Sequence, residues 1–93
     1  MFDWDAQNIA HIARHGVTPD EAEQALDIAP IEIMEQVIDG EVRRMEIGHT
    51  QAMRILVVIT TPRGELLRVA TAYPAPPAMR ERYLRLRRNE YGY

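Results

Sequence analysis

The sequence predicts an α+β fold: two N-terminal helices packed on a four-stranded antiparallel sheet, followed by a C-terminal helix. Three observations carry this. Helical periodicity with cap residues is confined to the first thirty positions. From Ile31 to Tyr73, short apolar or alternating runs are separated by the turn-rich segments Asp39-Gly40, Gly48–Gln51 and Thr61–Gly64. Pro74, Pro76 and Pro77 then forbid regular pairing and set apart a final arginine-rich stretch. The 93 residues suffice for one domain, spanning 1–93, with one modest core.

The first helix reads as Trp4 to Gly16. At about 100° per residue, Trp4, Asn8, His11 and His15 share a stripe, and Ile9, Ile12 and Ala13 lie beside it. Gly16 suits a left-handed helix end, because only glycine enters that conformation without a Cβ penalty. In the second helix, Thr18-Pro19-Asp20-Glu21 supplies a cap, a proline at the first helical position and a glutamate three residues after the cap. Ala22, Ala25, Leu26 and Ala29 form its stripe, and Pro30 stops it.

Ile31 to Ile38 carries both a strand alternation and a helical stripe; the Asp39-Gly40 turn that follows favours a strand. Arg44 to His49 alternates, with Met45 and Ile47 on one face. Arg54 to Thr60 is β-branched and apolar on both faces, as a central strand should be. Leu66 to Tyr73 is the last strand, with Arg68, Ala70 and Ala72 expected on one face and Val69, Thr71 and Tyr73 on the other. Ala78 to Asn89 is the closing helix, with Met79, Tyr83 and Leu86 as its apolar line; Tyr91-Gly92-Tyr93 is expected to fray. The sheet must bury a face, and the N-terminal helices are expected to cover it.

Composition narrows the function classes. The chain has no cysteine, so a disulfide framework and a thiolate zinc site are both excluded. Its longest strongly apolar run, Ile55 to Ile59, is far below the ~20 residues that cross a bilayer. MFDWDAQN lacks a signal-peptide pattern, so a cytoplasmic location is expected. Charge is uneven: residues 1–50 carry −8 and residues 51–93 carry +5, and every basic residue is arginine. The basic surface is therefore local and drawn from the C-terminal half. Arginine suits bidentate phosphate contacts, and a GC-rich genome explains the same usage. No P-loop, Rossmann glycine pattern, nucleophile elbow or aspartate-rich metal loop occurs, so no cofactor is expected.

Several residues have types suited to chemistry. His11 and His15 are four apart on one helix face, a metal-compatible spacing without further ligands; they read instead as core-edge histidines, and no metal site is expected. His49, in a predicted turn, carries a side chain of a type that suits general acid–base work, or is an ordinary polar turn residue. Arg68, flanked by small residues, suits stabilisation of a phosphorane transition state, or pairs with Glu46 or Glu65. Arg80, Arg82 and Tyr83 suit RNA, guanidinium on phosphate and ring on base, or form a solvated helix with one buried tyrosine.

The order of short motifs resembles the BrnT-like toxins, small ribonuclease-type proteins with a RelE-like fold. The matching residues are Trp4, Asp5, Asn8 and Arg14-His15-Gly16-Val17, then Glu21-Ala22, Ile47-Gly48, Arg54–Val58, Arg68-Val69 and Arg80–Tyr83. The resemblance implies metal-independent cleavage of RNA by 2′-hydroxyl attack on the adjacent phosphate. It implies a protein antitoxin of the ribbon-helix-helix type, with DNA contacted only through that antitoxin and no membrane role. On this basis Arg68, Arg82 and His15 are candidate catalytic residues, joined on chemical grounds by His49. Arg14, Arg80, Tyr83 and Tyr73 are candidate RNA-binding residues. One departure stands out: Thr71-Ala72-Tyr73 lies where the family's last strand usually ends in serine/threonine–alanine–arginine. Two functions follow: an endoribonuclease toxin, or a catalytically inactive module of the same fold that acts through protein partners.

Overall fold

The computed structural model describes residues 1–90; Tyr91-Gly92-Tyr93, expected to fray, lies outside the described residues. The chain runs α1 (Ala6–Ala13), α2 (Pro19–Asp27), β1 (Ile31–Ile38), β2 (Glu41–His49), β3 (Ile55–Arg63), β4 (Leu66–Pro74) and α3 (Pro77–Glu90). The strands form one antiparallel sheet in the order β1-β2-β3-β4. The α+β architecture expected from sequence is the one observed.

Local chemistry sets the element ends. Asp5 caps α1 by accepting from the Gln7 and Asn8 amides, and the Asn8 side chain accepts from the Asp5 amide in return. The helix is therefore shorter than Trp4–Gly16. It lies along the edge strand β4, so only a narrow strip of it is buried, Asn8 and Ile12. Ile9 and Ala13, expected on the apolar face, are exposed. Thr18 and Glu21 close the predicted capping box of α2. That helix ends at Asp27, and Ala29 takes a positive φ of 48° before Pro30, outside the predicted stripe.

The turns are tighter than the sequence suggested. Asp39 and Gly40, with φ of 52° and 77°, make the two-residue turn that matches strand twist. Gly48 and His49 belong to β2, and the turn starts at Thr50, closed by Thr50 N–H to the Arg54 carbonyl. Thr61 to Arg63 continue β3, leaving only Gly64-Glu65 to turn the chain.

Both faces of the sheet are used. On one, Ile12, Val17, Ala22 and Ala25 pack against Leu56, Val58, Val69 and Ala72. Here α2 lies so close to β2 that a Cβ on Gly48 would sit 1.8 Å from the Ala25 carbonyl oxygen. On the other, α3 lays Tyr83 and Met79 over Ile47, Ile55 and Val57. The N-terminal helices are thus not the only cover. The C-terminal helix buries one end of the second face and leaves the other end open, because Tyr83 and Met79 supply a short apolar line among arginines.

Candidate active site on the open face of the sheet

A β-bulge decides which side chains reach this open face. Ile59 pairs with Thr71 but Thr60 pairs with Val69, so Ala70 is an extra residue in β4. It resets the alternation. Arg68, opposite Thr61, and Thr71, opposite Ile59, fall on the same face as Tyr73. Val69 and Ala72 turn to the helix-covered core. The expected split, Arg68 with Ala72 against Val69 with Thr71, is corrected by this one inserted residue.

Along the open face, β2 contributes Glu41, Arg43 and Met45, β3 contributes Ile59, Thr61 and Arg63, and α1 contributes His11 from beyond the β4 edge. Two hollows meet there. One, about 510 Å³, holds Asp3, Asp5, His11, Arg43, Thr61 and Arg68 among its walls. The other, about 400 Å³, joins His11 and Arg43 to Met34, Ile38, Met45 and Ile59. His11 and Arg43 line both.

Arg68 is clamped, and by carboxylates other than the expected Glu46 or Glu65. Its two terminal nitrogens donate to the Asp5 oxygens at 3.0 and 3.2 Å, and one also reaches Asp3 at 3.4 Å. The hydrogen bond from Arg68 holds the Asp5 carboxyl below its ordinary value of 3.8, and that same bond raises the Arg68 guanidinium above its own. The Arg68 side chain is 14% exposed where it lines the hollow. Arg43 differs: its Nε is buried and has no hydrogen-bond partner. The rest of its half-buried side chain lines both hollows and forms no ion pair with another described residue.

His11 of α1 and His15 in the turn after it extend the candidate site. His11 Nε2 lies 3.1 Å from the Thr71 hydroxyl. The His11 and His15 rings meet edge to face with centroids 5.5 Å apart, and His15 meets the Tyr73 ring at 6.1 Å. A chain of rings thus runs from the Arg43 hollow to the exposed end of α1, where Arg14 is solvent-facing. Among the described residues no group of three histidine or carboxylate side chains is arranged to hold a metal.

The remaining predicted residues lie elsewhere. His49 is at the far end of β2, six residues from Arg43 and hence ~20 Å along the strand. Its Nδ1 donates to the Thr50 carbonyl at 2.8 Å, which leaves Nε2 as the acceptor of the neutral ring. Arg80 and Arg82 project from α3, exposed and without an ion pair to another described residue. Tyr83 is 2% exposed and its hydroxyl donates to the Ala29 carbonyl at 3.0 Å. Packed in the core with Ile47, Ile55 and Val57, Tyr83 is the buried tyrosine of its apolar line and offers no exposed platform to a base.

Arg43 and His11 are missing from the sequence-derived site. Arg43 was legible in principle: it shares the parity of Met45 and Ile47, and only the start of the strand at Arg44 left it out. His11 carried the right type and spacing, but nothing in a linear pattern shows that α1 hangs over the β4 edge.

Among the described residues no helix is long and apolar enough to cross a membrane. No curated protein matches the chain. The model of one family, the ribonuclease toxin BrnT of type II toxin–antitoxin systems, matches residues 4–78, from the segment that caps α1 through β4 and into the first turn of α3. With four-fifths of its length matched and the motif order laid out on an open-faced sheet, the chain belongs to the BrnT family of ribonuclease toxins.

Proposed function

We propose that this chain is a single-domain cytoplasmic endoribonuclease that cuts RNA without a metal, at the open face of its sheet. Family membership pairs it with a protein antitoxin; we assign that partner to the ribbon-helix-helix type, which would make the only contact with DNA. The observation that carries the reading is the convergence of His11, Arg43 and Arg68 on one hollow.

The reaction is in-line attack of a ribose O2′ on the adjacent phosphorus. The O2′–P bond forms and the P–O5′ bond breaks, giving a 2′,3′-cyclic phosphate and a 5′-hydroxyl. One group must take the O2′ proton and another must give a proton to O5′. The edge-to-face pair His11 and His15 supplies two imidazoles for these roles. Arg43 places its guanidinium on the phosphate, and Arg68 adds charge by exchanging Asp5 for a phosphate oxygen. Tyr73 and Arg14 flank the next nucleotide. Arg80 and Arg82, with His49, meet RNA beyond the scissile bond.

The position of Tyr73 supports this division. It occupies the place where a further arginine is usual, and Arg43 faces the same side of the sheet two strands away. The test is cleavage of several RNAs by the purified protein in excess EDTA, beside His11→Ala, Arg43→Ala, Arg68→Ala and Arg82→Ala variants that remain folded. The expected result is cleavage that survives the chelator, falls by about 10²-fold or more in the first three, and changes far less in Arg82→Ala. Uniform activity across all four variants refutes the site. Absence of cleavage by the wild type, on isolated and ribosome-bound RNA alike, selects the inactive binding module.

A further inference from the structure

The two edges of the sheet are treated differently. Along the first half of β4 the outer edge is covered: Leu67 N–H donates to the Met1 carbonyl, Asp3 N–H donates to the Leu67 carbonyl, and the buried Asn8 amide donates to the Val69 carbonyl. Along β1, among the described residues, no backbone bond covers the outer side. The two-residue Asp39-Gly40 turn makes Ile38 and Glu41 a hydrogen-bonded pair, so Gln36 and Met34 also bond to β2. The N–H and C=O groups of Glu35 and Val37 therefore point outward. An open edge is normally blunted by lysine or proline, and β1 has neither.

Side chains mark the same strand. Met34, Val37 and Ile38 are 43%, 68% and 44% exposed, an unusual cluster of bare apolar groups on eight residues. Met34 and Ile38 continue into the hollow that His11 and Arg43 line. On the helix side of the sheet, Glu32 and Glu35 share the single guanidinium of Arg44, and Glu46 stands opposite Glu32. Three carboxylates thus face one cation there. A second copy of β1 pairing with the first would add two more glutamates to this face, which like-charge repulsion opposes. A strand from another protein, basic on that face, would be drawn to it.

We propose that the outer edge of β1, from Met34 to Ile38, receives a fifth strand from the antitoxin. That strand is an extended segment with apolar side chains over the open face and Lys or Arg over the Glu32–Glu35 face. Main-chain bonds to Glu35 and Val37 hold it, and its apolar side chains close the hollow beside His11 and Arg43. The inference rests on the toxin–antitoxin pairing but not on catalysis, and it is tested without RNA.

The probe is a labelled peptide of alternating valine and lysine, matched in length to β1. Fluorescence anisotropy against the whole protein should show saturable binding. Valine–glutamate peptide should bind at least about tenfold more weakly. Val37→Pro removes one outward N–H and no bond to β2, so it should cost a similar factor, whereas Val37→Thr should not. The same peptide N-methylated on its pairing edge should fail on the unaltered protein, which keeps the test valid if the proline variant misfolds. Equal binding by Val37→Pro or by the N-methylated peptide overturns the proposal, as does equal binding of the acidic peptide or no binding at all. Dimerisation of the free protein that Val37→Pro abolishes overturns it in favour of a second copy. RNA cleavage, measured separately, stands or falls on its own.

Discussion

Gly48→Ala tests how closely the second helix is pressed onto the sheet. An added Cβ would stand 1.8 Å from the Ala25 carbonyl oxygen and 2.7 Å from its carbon. Both are backbone atoms, so no rotamer change relieves the clash. To restore even a 3.0 Å contact, α2 must withdraw by about 1 Å. Ala22 and Ala25 would then lose their seats against Leu56 and Val58, all four at most 1% exposed. Overpacking a tight core costs about 1–3 kcal/mol, and an immovable backbone partner puts this case at ~3 kcal/mol or above. For 93 residues the whole stability is about 5–14 kcal/mol, and ~3 kcal/mol lowers the melting temperature by roughly 12–24 °C. Urea unfolding followed by circular dichroism should show a lower midpoint at an unchanged slope. Gly64→Ala is the comparison: nothing lies within 4 Å of its would-be Cβ, and its φ of +60° alone should cost about 1–2 kcal/mol. A loss below about 1 kcal/mol for Gly48→Ala would refute the close approach of α2 to β2.

Two further outcomes follow from charges held away from their ordinary values. Asn caps a helix about as well as Asp, so Asp5→Asn keeps the α1 cap and removes the ion pair with Arg68. Because Arg68 depresses the Asp5 carboxyl below 3.8, the stability that pair contributes is fully present above about pH 4 and is lost as pH falls below it. Thermal melts should therefore separate the variant from the wild type at neutral pH and converge toward pH 2; a pH-independent gap would contradict the pairing. The same variant should bind single-stranded RNA more tightly, because Arg68 loses the Asp5 charge and keeps only its longer contacts to Asp3. Burial pushes the Glu46 carboxyl above 4.5, with Arg44 opposing and Glu32 adding to the rise. Ionised Glu46 thus weighs against folding as pH rises through its folded-state value. Glu46→Gln should raise the melting temperature at pH 7 and lose that advantage near pH 4; destabilisation at pH 7 would count against it.

Local chemistry settled most of the fold from sequence. Thr18-Pro19-Asp20-Glu21 and Asp39-Gly40 act within a few residues of themselves, so their cap and turn were legible without any partner. The bounds of β1 were legible too, because a turn fixes the end of the strand before it. The candidate site was legible only in part: Arg68 and Tyr73 lie on β4 as expected, and His15 lies in the turn just after α1 rather than in its last turn.

What joined them was decided in three dimensions. One extra residue, Ala70, moves Arg68 and Thr71 onto the face of Tyr73, and a period of two cannot reveal a bulge that depends on the partner strand. The pairing of Arg68 with Asp3 and Asp5 spans more than sixty residues of chain. The apolar line of α3 left Tyr83 open between core and RNA contact, and the second face of the sheet decided it as core. Sequence determines what each segment does with its own backbone; only tertiary packing decides which side chains share a surface, because that choice rests on contacts between residues far apart in the chain.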